Sequence, residues 1–254
     1  MIRKTALALL LAAAGINAHA ALSAGDIAFT SFNADEDGLS FVSFTGIAAN
    51  TSIYFSDNEW TGAAFNTGES YNVWNSGAAS IAAGTVIRLS AYDKTTPGAS
   101  VGSLSRVTVS GSANWGIANS TETVYAYLGT SATAPTTFLT AITNGSFAVD
   151  GSLTGTGLTE GVNAIRLNTL ANSATPDYAE YTGLRSGAAS YDAYKPLINN
   201  LANWNVDTAN GNYTATIPNT TAFSVTAVPE PKNYAMFVAG LGLMGLIARR
   251  QSSR

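Results

Sequence analysis

Cysteine is absent from this 254-residue chain, and histidine occurs once, at His19. Without cysteine there are no disulfides, so any stable fold rests on core burial, ions or assembly. With the lone histidine near the start, everything after residue 20 lacks the parts for a Ser-His-Asp or Cys-His nucleophile and for the usual His or Cys zinc site. Charge is also scarce, at 11% of residues. Half of the 12 Lys and Arg residues lie close to the ends, at Arg3, Lys4, Lys232, Arg249, Arg250 and Arg254. Between them stand only Arg88, Lys94, Arg106, Arg166, Arg185 and Lys195 against 15 acids, a net charge of −9. So few cations on an acidic body argue against nucleic acid, whose counterions are displaced by Lys and Arg. Paired carboxylates remain open as catalysts, since two Asp or Glu side chains hydrolyse glycosides without help from histidine.

What is present at the two ends is an address. Arg3 and Lys4 precede an apolar stretch over residues 6–15, and Ala18-His19-Ala20 is an A-x-A cleavage site before Ala21. Charge, length and small-residue spacing together predict a secretory signal peptide over residues 1–20; the apolar stretch is too short to span a bilayer. At the other end Val228-Pro229-Glu230-Pro231 leads into an apolar run over residues 234–248 and the basic pair Arg249-Arg250. Pro229 and Pro231 donate no backbone hydrogen bonds and hold their joint extended. The run is about 15 residues, roughly 22 Å as a helix, which is short for a bilayer core. Its glycines, Gly240, Gly242 and Gly245, are poor for a soluble helix, and it has no polar face. The basic end over 249–254 fits a cytoplasmic terminus.

This tail resembles the PEP-CTERM sorting signal of exported proteins of Gram-negative bacteria. The resemblance rests on Val228 to Pro231, Ala235-Met236, residues 239–245 and Arg249-Arg250, and covers about the last 25 residues. It implies export, recognition by an exosortase-type membrane enzyme, and association with exopolysaccharide or biofilm matrix. It also implies an intermediate tethered to the inner membrane by a short transmembrane sorting helix, and later release to the cell surface or matrix. The chain thus divides into a signal peptide (1–20), an exported domain (21–226) and a sorting tail (227–254). The partners this implies are the secretion machinery, the sorting enzyme, the membrane through the tail, and exopolysaccharide.

Residues 21–226 are rich in Gly, Ala, Ser, Thr and Asn, with short period-two runs. Ile27 and Phe29, Ile53 and Phe55, Ile87 and Leu89, Val124 and Ala126, Ile165 and Leu167, and Phe223 and Val225 each skip one residue. Such runs between Gly, Asn and Ser clusters predict a mainly β body, an antiparallel β-sandwich-like arrangement of about nine to twelve strands. Two stretches read as short helices. One is opened by Thr175-Pro176 and closed by Gly183; the other, over 189–204, is interrupted by Pro196 and reads as two short helices, the second opened by that proline. The Gly-rich stretch over 150–161 reads as the best internal hinge. No fixed-period repeat is evident.

The strongest chemical motif is Asn33-Ala34-Asp35-Glu36-Asp37-Gly38. Alternating oxygen donors at Asn33, Asp35 and Asp37 before a glycine match the start of a calcium loop, so Ca2+ is the one candidate cofactor. The twelfth position is Phe44 in place of a bidentate Glu, so a further ligand has to come from elsewhere, with Asp57, Asn58 and Glu59 the donors if their loop lies alongside. The simpler reading is a hairpin turn at Asp37-Gly38 with solvated acids, and it leads. A second cluster, Asp57-Asn58-Glu59-Trp60, sets an amide, a carboxylate and an aromatic ring together. Asn58, Glu59 and Trp60 are therefore candidates for contact with a sugar. Trp60, Trp74, Trp115 and Trp204 are each expected in the core about twice as often as at a ligand. Glu59, Glu69 and Glu122 are candidate acids for a carboxylate-only glycan-active enzyme. No catalytic set converges in the linear sequence. The leading expectation is a non-catalytic surface or matrix protein, ahead of a carbohydrate-binding module that uses calcium and ahead of the enzyme.

Overall fold

The structure is a computed structural model that describes residues 21–168 and 175–226. The expected signal peptide and sorting tail lie outside the described residues. Among the described residues the period-two runs become strands. They are β1 (Ile27–Asn33), β2 (Gly38–Ser43), β3 (Ser52–Ser56), β4 (Tyr71–Asn75), β5 (Val86–Ser90) and β6 (Gly98–Ala99). There follow β7 (Ser103–Arg106), β8 (Thr123–Ser131), β9 (Ala134–Thr143), β10 (Ala164–Arg166), β11 (Tyr178–Tyr181) and β12 (Trp204–Val206). One six-stranded sheet has the order β12-β11-β1-β2-β5-β6 and is antiparallel throughout. The other has the order β10-β9-β8-β3-β4-β7 and is antiparallel except for the β9–β10 pair.

Alternation sends one side chain set of each sheet into a shared core. Phe29 and Phe41 of the first sheet meet Phe55 of the second at ring separations of 6.2 and 5.6 Å, and Phe41 meets Trp74 edge-on at 5.5 Å. These aromatic contacts hold the two sheets face to face; each adds about 1 kcal/mol beyond the area it buries. A bulge in β1 between Phe29 and Ser31 resets the phase, so that Phe32 also turns inward. The second sheet is apolar on its outer face too. Tyr125 and Tyr127 of β8 and Phe138 of β9 point away from the main core and join Trp60, Leu158 and Ala164 in a separate cluster. Loop segments 57–70 and 145–163 supply its cover. The Gly-rich stretch expected to be a hinge is part of that cover: Trp60 Nε1 donates to Thr154 O at 2.9 Å, and Tyr125 Oη donates to Ser152 O at 3.1 Å.

Two expectations fail. Residues 178–181 form strand β11, not a helix. Ala179 and Tyr181 alternate inward while Tyr178 and Glu180 face out, and pairing with β1 at Asn33, Phe32 and Ser31 overrides the local Thr-Pro helix signal. Residues 223–226 form no strand; Val225 makes one bridge, to Ala188, while Phe223 is buried against Tyr181 and Tyr194. This segment bonds to two separate loops, one at Gly84 and one at Arg185 and Ala188, instead of to a strand edge. The expected helical stretch over 189–204 does form short helices: a 3-10 turn at Tyr191–Tyr194, α1 at Lys195–Ile198 with Pro196 in its first turn, and a second 3-10 turn at Leu201–Asn203.

After β12 the chain becomes a strap along the outer side of the first sheet. Tyr213 stacks on Tyr178 at 4.5 Å, Asn219 N donates to the outward-facing Glu180 carboxylate at 2.6 Å, and Tyr194 Oη donates to Ser224 O at 2.5 Å. No helix among the described residues is long and apolar enough to cross a membrane.

Candidate functional site: a cleft beside the loop between β3 and β4

Leaving β3, the chain runs through Asp57-Asn58-Glu59-Trp60 and returns at Ser70, and this loop is braced from inside. Asp57 accepts from Ser70 N at 2.7 Å and from Ser70 Oγ at 2.8 and 2.9 Å. Asn58 Oδ1 accepts from Glu69 N at 3.1 Å, and its Nδ2 donates to Ser70 O at 3.0 Å. The Trp60 ring lies edge-on to Phe65 at 5.2 Å and to Phe138 at 5.0 Å. Asp57, Asn58 and Trp60 are all buried, so their main work is to hold the loop. Glu59 stays half-buried.

The bracing leaves a cleft of about 400 Å³ on the outer side. Phe65, Asn66, Thr67, Glu69 and Tyr71 form one wall with Asn58 behind them; Val109, Ser110 and Ser112 form the other, with Thr133 at the margin. Trp60 does not line it. β4–β7 pairing brings these walls together, because the 57–70 loop enters β4 beside the point where the chain leaves β7. No Lys or Arg lines the cleft. Burial, helped by the neighbouring Glu59 carboxylate, pushes Glu69 up to about 7. Two acceptor oxygens in this wall, Glu69 Oε2 and Asn66 Oδ1, are buried and have no hydrogen-bond partner.

Behind the loop several polar side chains are buried. Asn72 shares the inward face of β4 with Trp74, and both its amide atoms lack partners. The Tyr92 hydroxyl is wholly buried near Asn72 and Ser70 and has no well-formed hydrogen bond to either. Burial pushes Asp57 up to about 8, against the opposing Ser70 hydroxyl bond and with the Glu69 charge adding to it. Glu122 rises to about 9, through burial first and the Asp57 charge second, although Ala118 N and Thr123 N donate to it at 3.0 Å each. Both carboxyls are therefore largely protonated near neutrality. Glu122 does not line the cleft.

The acidic hairpin between β1 and β2 occupies another place. The turn over 34–37 is as expected, with Asp37 left-handed at φ 54°. Its acids, expected to be solvated, are each engaged and half-buried. Asn33 Nδ2 donates to Tyr213 O at 3.0 Å, and Asp35 accepts from Tyr213 N at 2.7 Å. Glu36 pairs with Arg88, and Asp37 accepts from Ile117 N at 2.6 Å. Burial raises Asp37 to about 6 against that amide bond, and the Asp93 carboxylate adds to the rise. Asn33 and Asp35 serve the strap, Asp37 the 117 loop, and Asp57 Ser70. Among the described residues no three His, Cys, Asp or Glu side chains converge as a metal-holding group.

The other tryptophans follow the core expectation with one exception. Trp74 and Trp204 are buried and donate to Val101 O and Ile198 O, each at 2.7 Å. Trp115 is half-buried under the Arg106 guanidinium, 4.3 Å from its ring. Sequence reasoning missed Phe65, Asn66 and Tyr71; a single aromatic within the small-residue stretch 61–69 was the available signal. Compared with known proteins, the chain matches no family model, no curated protein and no solved structure.

Proposed function

We propose that this is an exported, non-catalytic protein of the cell surface or extracellular matrix, associated with exopolysaccharide and sorted by an exosortase-type membrane enzyme. On this reading an antiparallel β-sandwich-like body is released by cleavage after Ala20. It is held transiently at the inner membrane by the short helix over 234–248 and processed near Pro229 to Pro231. The carrying observation is the ordered tail: Val228-Pro229-Glu230-Pro231, the apolar run, then Arg249-Arg250. The strap supports it, because Thr226 N donates to Ala188 O at 2.9 Å and a tail starting at residue 227 leaves from an anchored point. Replacing Pro229 and Pro231 by Ala, or Arg249 and Arg250 by Gln, is expected to leave the exported body with the membrane fraction. The wild-type chain reaches the surface or medium. An unchanged distribution in both variants overturns the reading.

A second reading, a carbohydrate-binding body, is favoured by one observation: the cleft sets the Phe65 and Tyr71 rings beside Asn66 and Glu69. Aromatic planes against sugar C–H faces, with a few polar groups fixing orientation, are how such sites hold saccharides. A calcium-dependent form would draw on Asn33, Asp35, Asp37 and Asp57, whose oxygens already serve protein donors; this favours binding without the ion. Co-sedimentation with native exopolysaccharide that survives EDTA, with no new reducing ends, is the expected result. Release of reducing ends would instead support the carboxylate-only enzyme, with Glu59 and Glu69 as its pair.

A further inference from the structure

The strap over the first sheet places a ring in the position of a ligand. Tyr213 lies flat on Tyr178, with 4.5 Å between centroids and 9° between planes. Tyr178 stands on β11 directly opposite Asn33 of β1, and Glu180 follows two residues on, on the same outward face. Polar groups surround the stack, and the strap's backbone engages each of them. Asp35 Oδ2 accepts from Tyr213 N at 2.7 Å, Asn33 Nδ2 donates to Tyr213 O at 3.0 Å, and Glu180 Oε1 accepts from Asn219 N at 2.6 Å. The other Glu180 oxygen accepts from Tyr178 Oη at 2.7 Å and fixes the lower ring. Tyr178 and Asn33 are covered to 2% and 1% exposure. The strap itself is lightly held: over residues 208–222 only Pro218 is buried. A segment with so few buried apolar contacts opens at a far lower free energy than the whole body unfolds. Phe223, next along, is buried and keeps the far end in place.

We propose that Tyr178 is the platform of a saccharide site on the outer face of the first sheet, with Tyr213 of the strap seated in it as an exchangeable plug. This rests on the exopolysaccharide association proposed above and not on the cleft. A sugar ring offers C–H faces to an aromatic plane and, at its rim, hydroxyls that both donate and accept. With the strap lifted, rim hydroxyls donate to Asp35 and Glu180 where Tyr213 N and Asn219 N now do, and one accepts from Asn33 Nδ2. Strands β1 and β11 hold Asn33, Tyr178 and Glu180 in register, so the site is formed before the sugar arrives. Charge selects the sugar. Glu36 and Glu180 neighbour Tyr178, and Asp35, Asp177 and Asp207 neighbour Tyr213. Of these acids only Glu36 is salt-bridged among the described residues, to Arg88. An uncharged sugar therefore fits, and a uronate or sulfated one meets like charge.

The test uses the purified full chain and native exopolysaccharide separated by anion exchange into neutral and acidic fractions. Titration calorimetry reads affinity, and amide exchange reads the position of the strap. The neutral fraction is expected to bind and to speed exchange at Tyr213 and Asn219 while Phe223 stays protected. Tyr213→Ala removes the plug's ring and is expected to bind that fraction about tenfold more tightly, the worth of one stacked pair. In that background Tyr178→Ala is expected to abolish binding, and Glu180→Gln, which keeps the shape and spares the fold, to weaken it about fivefold. Equal affinity in the wild type, Tyr213→Ala and the Tyr213→Ala/Glu180→Gln pair, with strap exchange unchanged, overturns this site while leaving carbohydrate binding at the cleft in place. Tighter binding of the acidic fraction overturns the proposal as well. No heat with either fraction overturns both readings, even where a synthetic peptide of residues 208–221 binds Tyr213→Ala and so makes the strap a bridge between copies of the chain.

Discussion

At the scale of single residues, the consequential group is the buried pair Asp57 and Glu122 with the half-buried Glu69, raised to about 8, 9 and 7. In the unfolded chain such carboxyls release their protons near pH 4. Between about pH 4 and each folded value the native state therefore holds more protons than the unfolded state. Stability is highest on the acid side of this window, falls as pH rises through it, and levels off above the folded values. A urea midpoint lower at pH 9 than at pH 5 is the expected observation; a midpoint that climbs over this interval contradicts the burial argument. Asp57→Asn keeps an oxygen for Ser70 and cannot ionise, so it is expected to flatten the profile. The Tyr92 hydroxyl makes a second residue-scale prediction. Because it has no partner, Tyr92→Phe is expected to change unfolding free energy by less than about 1 kcal/mol, and toward stability. A loss of 2 kcal/mol or more would mean the hydroxyl is well bonded.

At the scale of elements, the outer cluster on the second sheet and the strap on the first each show a covered face. Trp60→Ala removes the ring that ties the 57–70 loop to Phe138 and, through its N–H, to Thr154. It is expected to cost about 3–5 kcal/mol in chemical denaturation, the range for a large aromatic removed from a packed cluster. A role confined to ligand contact would leave stability nearly intact. The strap depends on one glycine. Gly84 sits at φ 85°, and a Cβ there would collide with Phe223 O and the Tyr191 ring. Gly84→Ala is therefore expected to lift the strap, raising amide exchange at Phe223 and Ser224 while the exchange of β3 and β8 stays slow. Equal protection in variant and wild type would show that the strap does not rely on that close approach.

At the largest scale, the described residues form two facing sheets around a main core with a second cluster outside one sheet, and the chain has no disulfide cross-link. Lacking cysteine, it is expected to unfold at the same midpoint with and without reductant. How much of this was legible in the sequence varied with the range of the interaction. The strands at Ile27, Ile53, Ile87, Val124 and Ile165 showed in their alternation, as did the turn at Asp37-Gly38 and the helix start at Pro196. Strand β11 did not, because its Thr-Pro signal is local and its pairing with β1 spans some 145 residues. Tyr125 and Tyr127 were visible as the polar-side partners of Val124 and Ala126. Nothing in that pattern told that loops 57–70 and 145–163 would bury them. Of the residues that line the cleft, Asn58 and Glu69 carry a signal in the sequence, whereas Phe65 and Asn66 do not.

Composition and short-range order settle what chemistry the chain lacks and the period of its backbone, because counting residues and stepping along a strand need no knowledge of distant neighbours. Thus the absent cysteine, the single His19, the acidic body, the β alternation and the tripartite tail are all properties of the one-dimensional chain. Tertiary structure alone decided which acids are protonated, which tryptophans are scaffold and where two loops leave an open cleft. Desolvation and packing depend on atoms brought together from far along the sequence: Asp57 with Glu122, Trp60 with Thr154, Asn66 with Ser110.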